Sequence, residues 1–251
     1  MARALELAGK GRLTAPPNPI VGCVLVVNGV IVGEGYHHRS GENHAEVNAL
    51  AAAGDQSRGA TAYVTLEPCN HQGRTPPCTR ALIEAGVSRV VYGMEDPNPQ
   101  VSGSGVKALM AAGILTDRLD TGGAAEALNP GFIKRMQSGR PWVRVKLASS
   151  LDGNIALANG DSQWITGNEA REDVHRWRAR SGAIVTGIGT LLADDPMLTV
   201  RLPTPTATPL RVVVDSQGRL PTTSKLLQQP GAVLQCTAEG VPGVDHPQVV
   251  V

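Results

Sequence analysis

The first 140 residues alternate short apolar runs of strand length with helix-like stretches, each bounded by Gly, Pro or Asn, and that alternation restricts the chain to an α/β architecture. Strands are predicted near Gly22 to Val27 and Val30 to Gly35, joined by the Asn28-Gly29 pair that two-residue hairpins favour. A helix is expected to start close to His44, run through "AEVNALAAA" and stop at Gly54, which can adopt the left-handed conformation at a helix end. Strand "TAYVTL", helix "CTRALIEAG", strand "SRVVYGM", loop "EDPNPQVSGSG", helix "VKALMAAG" and a strand near Ile114 to Leu119 follow. Right-handed crossovers through these helices imply a mostly parallel inner sheet covered on both faces. A last helix is predicted over roughly Ala124 to Ser138.

The Gly-Arg-Pro of "SGRP" then reads as a seam, giving two domains, 1–140 and 141–251. The second is also α/β, with an apolar strand Trp142 to Leu147, a helix around Asn168 to Arg180, strands "GAIVTG" and "RVVVDS", and an exposed linker "LPTPTATP" between them. The chain stops at "PQVVV" inside a strand-like run, so the second domain is expected to be incomplete. Aromatic residues are only 3% of the chain, against 29 Gly and 18 Pro, so both cores must be built from Val, Leu, Ile and Ala.

Charge narrows the function. With 23 basic and 22 acidic residues the net charge is +1, which gives no broad footprint for nucleic acid or an anionic membrane and favours a small ligand. The N-terminus "MARALELAGKGRLTAPPNP" reads as a short amphipathic helix and lacks a signal-peptide apolar region, and no run reaches membrane-spanning length. A cytoplasmic location is the expectation. Four cysteines, at 23, 69, 78 and 236, are too few for a disulfide scaffold in such a chain. Cys23 and Cys236 read as packed core thiols.

Cys69 and Cys78 flank a polar loop, and His44-Ala45-Glu46 lies upstream. Catalytic zinc takes about three protein ligands and keeps one position open, and His44, Cys69 and Cys78 supply such a set. Placement near helix starts favours the thiolate. Glu46 is the candidate proton carrier. Residues two apart on a helix point about 200° apart, so His44 and Glu46 can share a site only in the first turn. His-x-Glu followed by Pro-Cys matches the zinc deaminase pattern, although eight residues, not two, separate the cysteines. The plainer alternative is two ordinary buried cysteines.

"HAE" together with "EPCNHQGRTPPC" resembles the bacterial bifunctional riboflavin-biosynthesis deaminase/reductase family, and the resemblance extends over essentially the whole chain. It implies an N-terminal cytidine-deaminase-like α/β/α domain that hydrolyses the amino group of a diaminopyrimidinone ribosyl phosphate, and a dihydrofolate-reductase-like α/β domain that reduces the ribosyl group with NADPH. Carried over by motif, His44, Cys69 and Cys78 hold Zn2+, Glu46 is the general acid/base, and Asn18, His37, Asn70 and Arg74 contact substrate. A guanidinium at Arg74 suits a phosphate on physical grounds as well. Asn18 could instead be a turn former, Asn70 a loop stabiliser, and His37, His38 and His71 solvent-facing or structural groups.

In the second domain, "VKLASSLDG", "GDSQWITG" and "HRWRARSGAIVTGIGTLLADDPMLTVR" are similar to the family's reductase. The resemblance places Ala148, Trp164, Thr190 and Asp194 at NADPH and Ser162, Arg178, Leu198 and Arg201 at substrate. "TGIGT" is not a full dinucleotide fingerprint. With the family's closing segment missing, weak NADPH binding and an intact deaminase are expected. The competing readings are a stand-alone cytidine or nucleobase deaminase and a non-catalytic zinc-stabilised binding module, for which structural zinc would need four protein ligands. A homo-oligomer is left open.

Overall fold

Strand β1 (Gly22–Val27) sends Cys23 and Leu25 to one face and Val24 and Val26 to the other, as the two-residue period of a strand requires. The structure, a computed structural model, describes residues 1–99, 101–204 and 206–251. Gln100 of the predicted loop "EDPNPQVSGSG" and Pro205 of the linker "LPTPTATP" lie outside the described residues. Contacts divide the chain into two units, Met1–Arg144 and Val145–Val251.

In the first unit β1 pairs antiparallel with β2 (Val30–Tyr36) through a turn in which Asn28 and Gly29 both have positive φ, 51° and 79°. That conformation is the one a tight hairpin requires, and Asn-Gly tolerates it best. β1 also pairs antiparallel with β3 (Thr61–Val64), and β3, β4 (Arg89–Tyr92) and β5 (Leu115–Arg118) are mutually parallel, in the order β2-β1-β3-β4-β5. Only half of the pairings are therefore parallel. The expected mostly parallel sheet holds only from β3 onward, because the two-residue turn forces β2 back against β1.

Helix α1 (Ala2–Lys10) puts Ala4 and Leu7 against Val24, while α2 (Ala45–Ala53) lays Ala45, Ala49 and Ala53 into the core with Cys23 and Leu25. Glycines let α2 approach closely: a Cβ at Gly33 would meet the Ala49 carbonyl oxygen at 2.3 Å, and one at Gly35 the Ala45 carbonyl oxygen at 2.4 Å. Helices α3 (Cys78–Glu84) and α4 (Ser104–Ala111) complete the crossovers. The predicted last helix is two, α5 (Ala124–Leu128) and α6 (Pro130–Ser138). Pro130 has no N–H to continue α5, and Asn129 turns inward to donate from Nδ2 to the Ile20 carbonyl at 2.9 Å and accept from the Ile20 N–H at 2.8 Å.

The second unit carries a wholly parallel sheet, β6 (Ala183–Gly187), β7 (Leu210–Val214), β8 (Val233–Cys236) and β9 (Val249–Val250), in sequence order. Helices α7 (Asn168–Ala179) and α8 (Ile188–Asp194) accompany it. Its core gathers Ile188, Leu191, Leu198, Val213, Leu226 and Val233. Buried Arg211 donates from its two terminal nitrogens to the carbonyls of Leu226, Gln229 and Gly231, while its Nε has no partner among the described residues.

Two expectations fail here. The strand predicted over Trp142 to Leu147 is absent: no described strand lies beside it to take its N–H and C=O groups, and Val143, Val145 and Leu147 are exposed. Cys236 is exposed too, because the β8 alternation turns Val233 and Gln235 inward and Cys236 outward.

Candidate metal centre and active-site cavity

The chain ends that leave the first sheet on one edge build the site. Ile20 and Val21 enter β1 there, His37 follows β2, Thr65 to Cys69 follow β3, and Gly93 to Asp96 follow β4. Backbone bonds tie these ends together: His37 N–H to the Val21 carbonyl at 3.0 Å, Thr65 N–H to Gly22 at 3.1 Å, and Glu67 N–H to Met94 at 2.9 Å. Ligands of open α/β sheets commonly sit outside this carboxyl edge.

His44 is not within α2. It is the N-cap, with extended φ −73° and ψ 167°, so it and Glu46 in the first turn can face one site despite the 200° a helix would set between them. Cys69 lies on the loop after β3, and Cys78 opens α3. The three donor atoms all lie within 4.8 Å of one another. His44 Nδ1 is 3.1 Å from Cys78 Sγ and 3.5 Å from Cys69 Sγ. Tetrahedral zinc at ordinary bond lengths demands about 3.5 Å between nitrogen and sulfur and about 3.8 Å between sulfurs, so the donor set fits that ion. Nδ1 is the donor nitrogen, since Nε2 faces Thr75 Oγ1 at 3.5 Å.

Among these groups the Cys69 sulfur is held well below the ordinary thiol range, by the Cys78 thiol first, and by the His44 ring and the Cys78 N–H. Cys78 is pushed up by that thiolate and by burial, and His44 is raised by Cys69. Glu46, 4% exposed, is raised to about 7 by burial and then by the Cys69 charge. A carboxyl poised near neutrality both accepts and releases a proton readily.

A cavity of about 630 Å³ opens over these groups, a size that suits a small-molecule ligand. Of the four residues that the resemblance places at substrate, Asn18, His37 and Arg74 line it and Asn70 does not. Asn70 Oδ1 accepts instead from the Thr79 hydroxyl at 2.8 Å, at the start of α3. His37 is 3% exposed and not solvent-facing, and burial lowers its pKa. Its Nδ1 faces the Asn43 carbonyl at 3.1 Å and so carries the proton, leaving Nε2 to accept from Asn18 Nδ2 at 3.2 Å. Ser40 Oγ donates to Asn18 Oδ1 at 3.1 Å, which fixes the amide's orientation. Asp96, Asn98, Glu67, His71 and Phe132 also line the cavity. Of these, His71 was expected to be solvent-facing or structural, and the other four were not assigned to the site.

Residues 1–94 match the cytidine and deoxycytidylate deaminase zinc-binding region, and residues 141–248 the RibD C-terminal domain. The structure of Acinetobacter baumannii RibD is 48% identical, superposes with a TM-score of 0.91, and is covered over 73% of its length by 98% of this chain. The chain belongs to the RibD family. A Thermotoga maritima member, described as a diaminohydroxyphosphoribosylaminopyrimidine deaminase/5-amino-6-(5-phosphoribosylamino)uracil reductase, is 41% identical with a TM-score of 0.89, 100% of this chain covering 72% of it. The riboflavin biosynthesis protein RibD of Escherichia coli is 56% identical over 243 residues, 92% of this chain. The chain spans about two thirds of that relative's length, 66%.

Within the RibD C-terminal domain the candidate residues fall into three groups. Arg178, Leu198 and Arg201 come together: Arg178 Nη1 donates to the Thr199 carbonyl at 3.0 Å, and the Arg201 N–H to His175 Nδ1 at 3.2 Å. Burial, then the two arginines, lower the His175 pKa. Thr190 and Asp194 lie one turn apart on exposed positions of α8. Ala148, Ser162 and Trp164 lie in the segment between the seam and α7, which has no helix or strand. Trp164 is exposed, with the Arg171 guanidinium 4.3 Å from its ring. No helix among the described residues is long and apolar enough to cross a membrane.

Proposed function

We propose that the first unit is a zinc-dependent hydrolytic deaminase acting on a ribosylaminopyrimidine phosphate. The observation that carries this reading is the convergence of His44, Cys69 and Cys78 beside the buried Glu46, with His44, Cys69 and Glu46 lining the cavity. Three protein donors, not four, favour a catalytic over a structural ion. Zinc, when held there, supplies the Lewis acidity that makes water a nucleophile at neutral pH. Glu46 takes a proton from the attacking water, which adds to the amino-bearing ring carbon. Glu46 then delivers a proton to the amino nitrogen, and ammonia leaves.

Asn18, held by His37 and Ser40, presents a fixed amide to the base. Arg74, exposed at the rim, supplies a planar pair of donors for the phosphate. Asn70 supports the loop that carries Arg74 through Thr79 and acts on substrate only indirectly. A reducing compartment keeps the four free cysteines as thiols, and the cytoplasm is part of the proposal.

For the second unit the proposal is NADPH-dependent reduction of the deaminated product, with Ala148, Trp164, Thr190 and Asp194 toward the cofactor and Ser162, Arg178, Leu198 and Arg201 toward the substrate. It is supported by membership of the RibD family and by the Arg178/Leu198/Arg201 cluster, whose two cations suit a phosphate. The test is ammonia release by the zinc-loaded chain from diaminohydroxyphosphoribosylaminopyrimidine against cytidine and deoxycytidylate. Turnover of the first with at least a hundredfold preference is expected. Preference for either of the others would reassign the unit as a nucleoside or nucleotide deaminase.

A further inference from the structure

Glu67 stands directly before Pro68 and the metal-binding Cys69, is 2% exposed, and lines the cavity. A buried carboxylate there invites the reading of a second proton carrier, and its hydrogen bonds argue against it. Oε2 accepts from the N–H groups of Asp96 at 3.2 Å and Gly103 at 3.0 Å, and Oε1 from those of Gly105 at 3.1 Å and Val106 at 3.3 Å. A carboxylate offers about four lone-pair sites, and four donors occupy them. Glu67 has nothing left with which to hold a metal or substrate.

All four donors belong to one neighbouring segment, the turn after β4 and the start of α4. That helix has Gly103 as its N-cap, with φ 72°, and so no side chain of its own to satisfy its first N–H groups. Glu67 does so from another element, and its charge faces the favourable end of the helix dipole. The approach is close: a Cβ on Gly105 would lie 2.0 Å from the Pro68 carbonyl oxygen and 3.2 Å from Glu67 Oε1. Asp96, whose N–H is clamped, and Asn98 just after it line the cavity, with Asp96 Oδ1 accepting from the Asn98 N–H at 2.9 Å.

We propose that Glu67 is a positioning residue that fastens the Asp96–Asn98 wall of the cavity to the metal-binding loop and thereby sets substrate affinity. This rests on the deaminase reading for its kinetic arm. Glu67→Gln offers one acceptor oxygen and places an NH2 against two N–H donors. Gly105→Ala leaves the carboxylate in place but drives the helix away from it.

The test uses the zinc-loaded full chain and reads zinc content, ammonia-release kinetics and amide hydrogen exchange. Both variants are expected to keep one zinc, raise KM at least tenfold with kcat within about threefold, and speed exchange at Gly103, Gly105 and Val106 at least tenfold while Leu109 stays within twofold. A Val90→Ala control, which truncates the β4 core, should lower the melting temperature without moving KM. Unchanged KM in both variants, loss of zinc, a collapse of kcat at constant KM, or an equal KM rise in the control would each overturn the proposal. If the parent chain releases no ammonia, the functional reading fails on its own; exchange still decides the clamp, and unaltered protection at the three amides rejects it.

Discussion

At the scale of single residues, the proposed deaminase needs Glu46 for proton transfer and His44, Cys69 and Cys78 for the metal. Glu46→Gln is isosteric and should retain zinc while lowering ammonia release by about 10²- to 10⁴-fold, the usual contribution of a positioned acid/base; metal analysis and an ammonia assay on one sample check both halves. Asp96 gives a pH signature. Burial, with smaller contributions from the nearby Glu67 and Cys69 charges, raises its carboxyl from 3.8 to about 6. Because the folded value lies above the unfolded one, the stability linked to its protonated form is complete below pH 4 and is lost as pH rises to about 6. Asp96→Asn removes that dependence. Relative to the parent, the variant should gain stability between pH 4 and 7, by at most about 2 kcal/mol given partial solvent screening, measured by denaturant unfolding across that range.

At the scale of elements, His44 is delivered by α2, and α2 lies where two β2 glycines let it lie. A Cβ at Gly35 would be 2.4 Å from both the Ala45 oxygen and the Ala49 nitrogen, backbone atoms that move only with the helix. Gly35→Ala should therefore destabilise the unit by about 2 kcal/mol or more and weaken zinc affinity, readable by thermal unfolding and competitive metal titration. Asn129 ties the start of α6 to the entry of β1. Its removal strands the Ile20 N–H and carbonyl, and Asn129→Ala should cost about 2 kcal/mol or more. The sequence signalled the hairpin, α2, α3 and the parallel strands, because each carries its own period and its own turn residues. Pro130 is a local signal for the break between α5 and α6, but the Ile20 bonds that seat Asn129 and the four bonds of Glu67 carry none, since they depend on partners tens of residues away.

At the scale of the whole molecule, each unit has a separate core, so zinc should support one of them selectively. Chelation is expected to lower the transition of the 1–144 unit by roughly 10 °C, the linkage of a tightly bound ion, and to leave a second calorimetric transition in place. The same division explains what could be read in advance. His-x-Glu and Pro-Cys are local patterns, so the candidate metal set could be named from the sequence, and the structure brings its three donors together with His44 at the N-cap, where it can face the same site as Glu46. The strand expected over Trp142 to Leu147 failed because apolar alternation states a preference, whereas a strand needs a neighbour. Cys236 was misread by position within β8, where a one-residue shift reverses inside and outside. The central claim is that the three-donor site and Glu46 form a hydrolytic deaminase, and ammonia release from diaminohydroxyphosphoribosylaminopyrimidine, measured beside zinc stoichiometry in the parent and Glu46→Gln chains, tests it most directly. The account predicts one zinc in each and turnover in the parent alone; equal turnover in both, or none in a fully zinc-loaded parent, would contradict it.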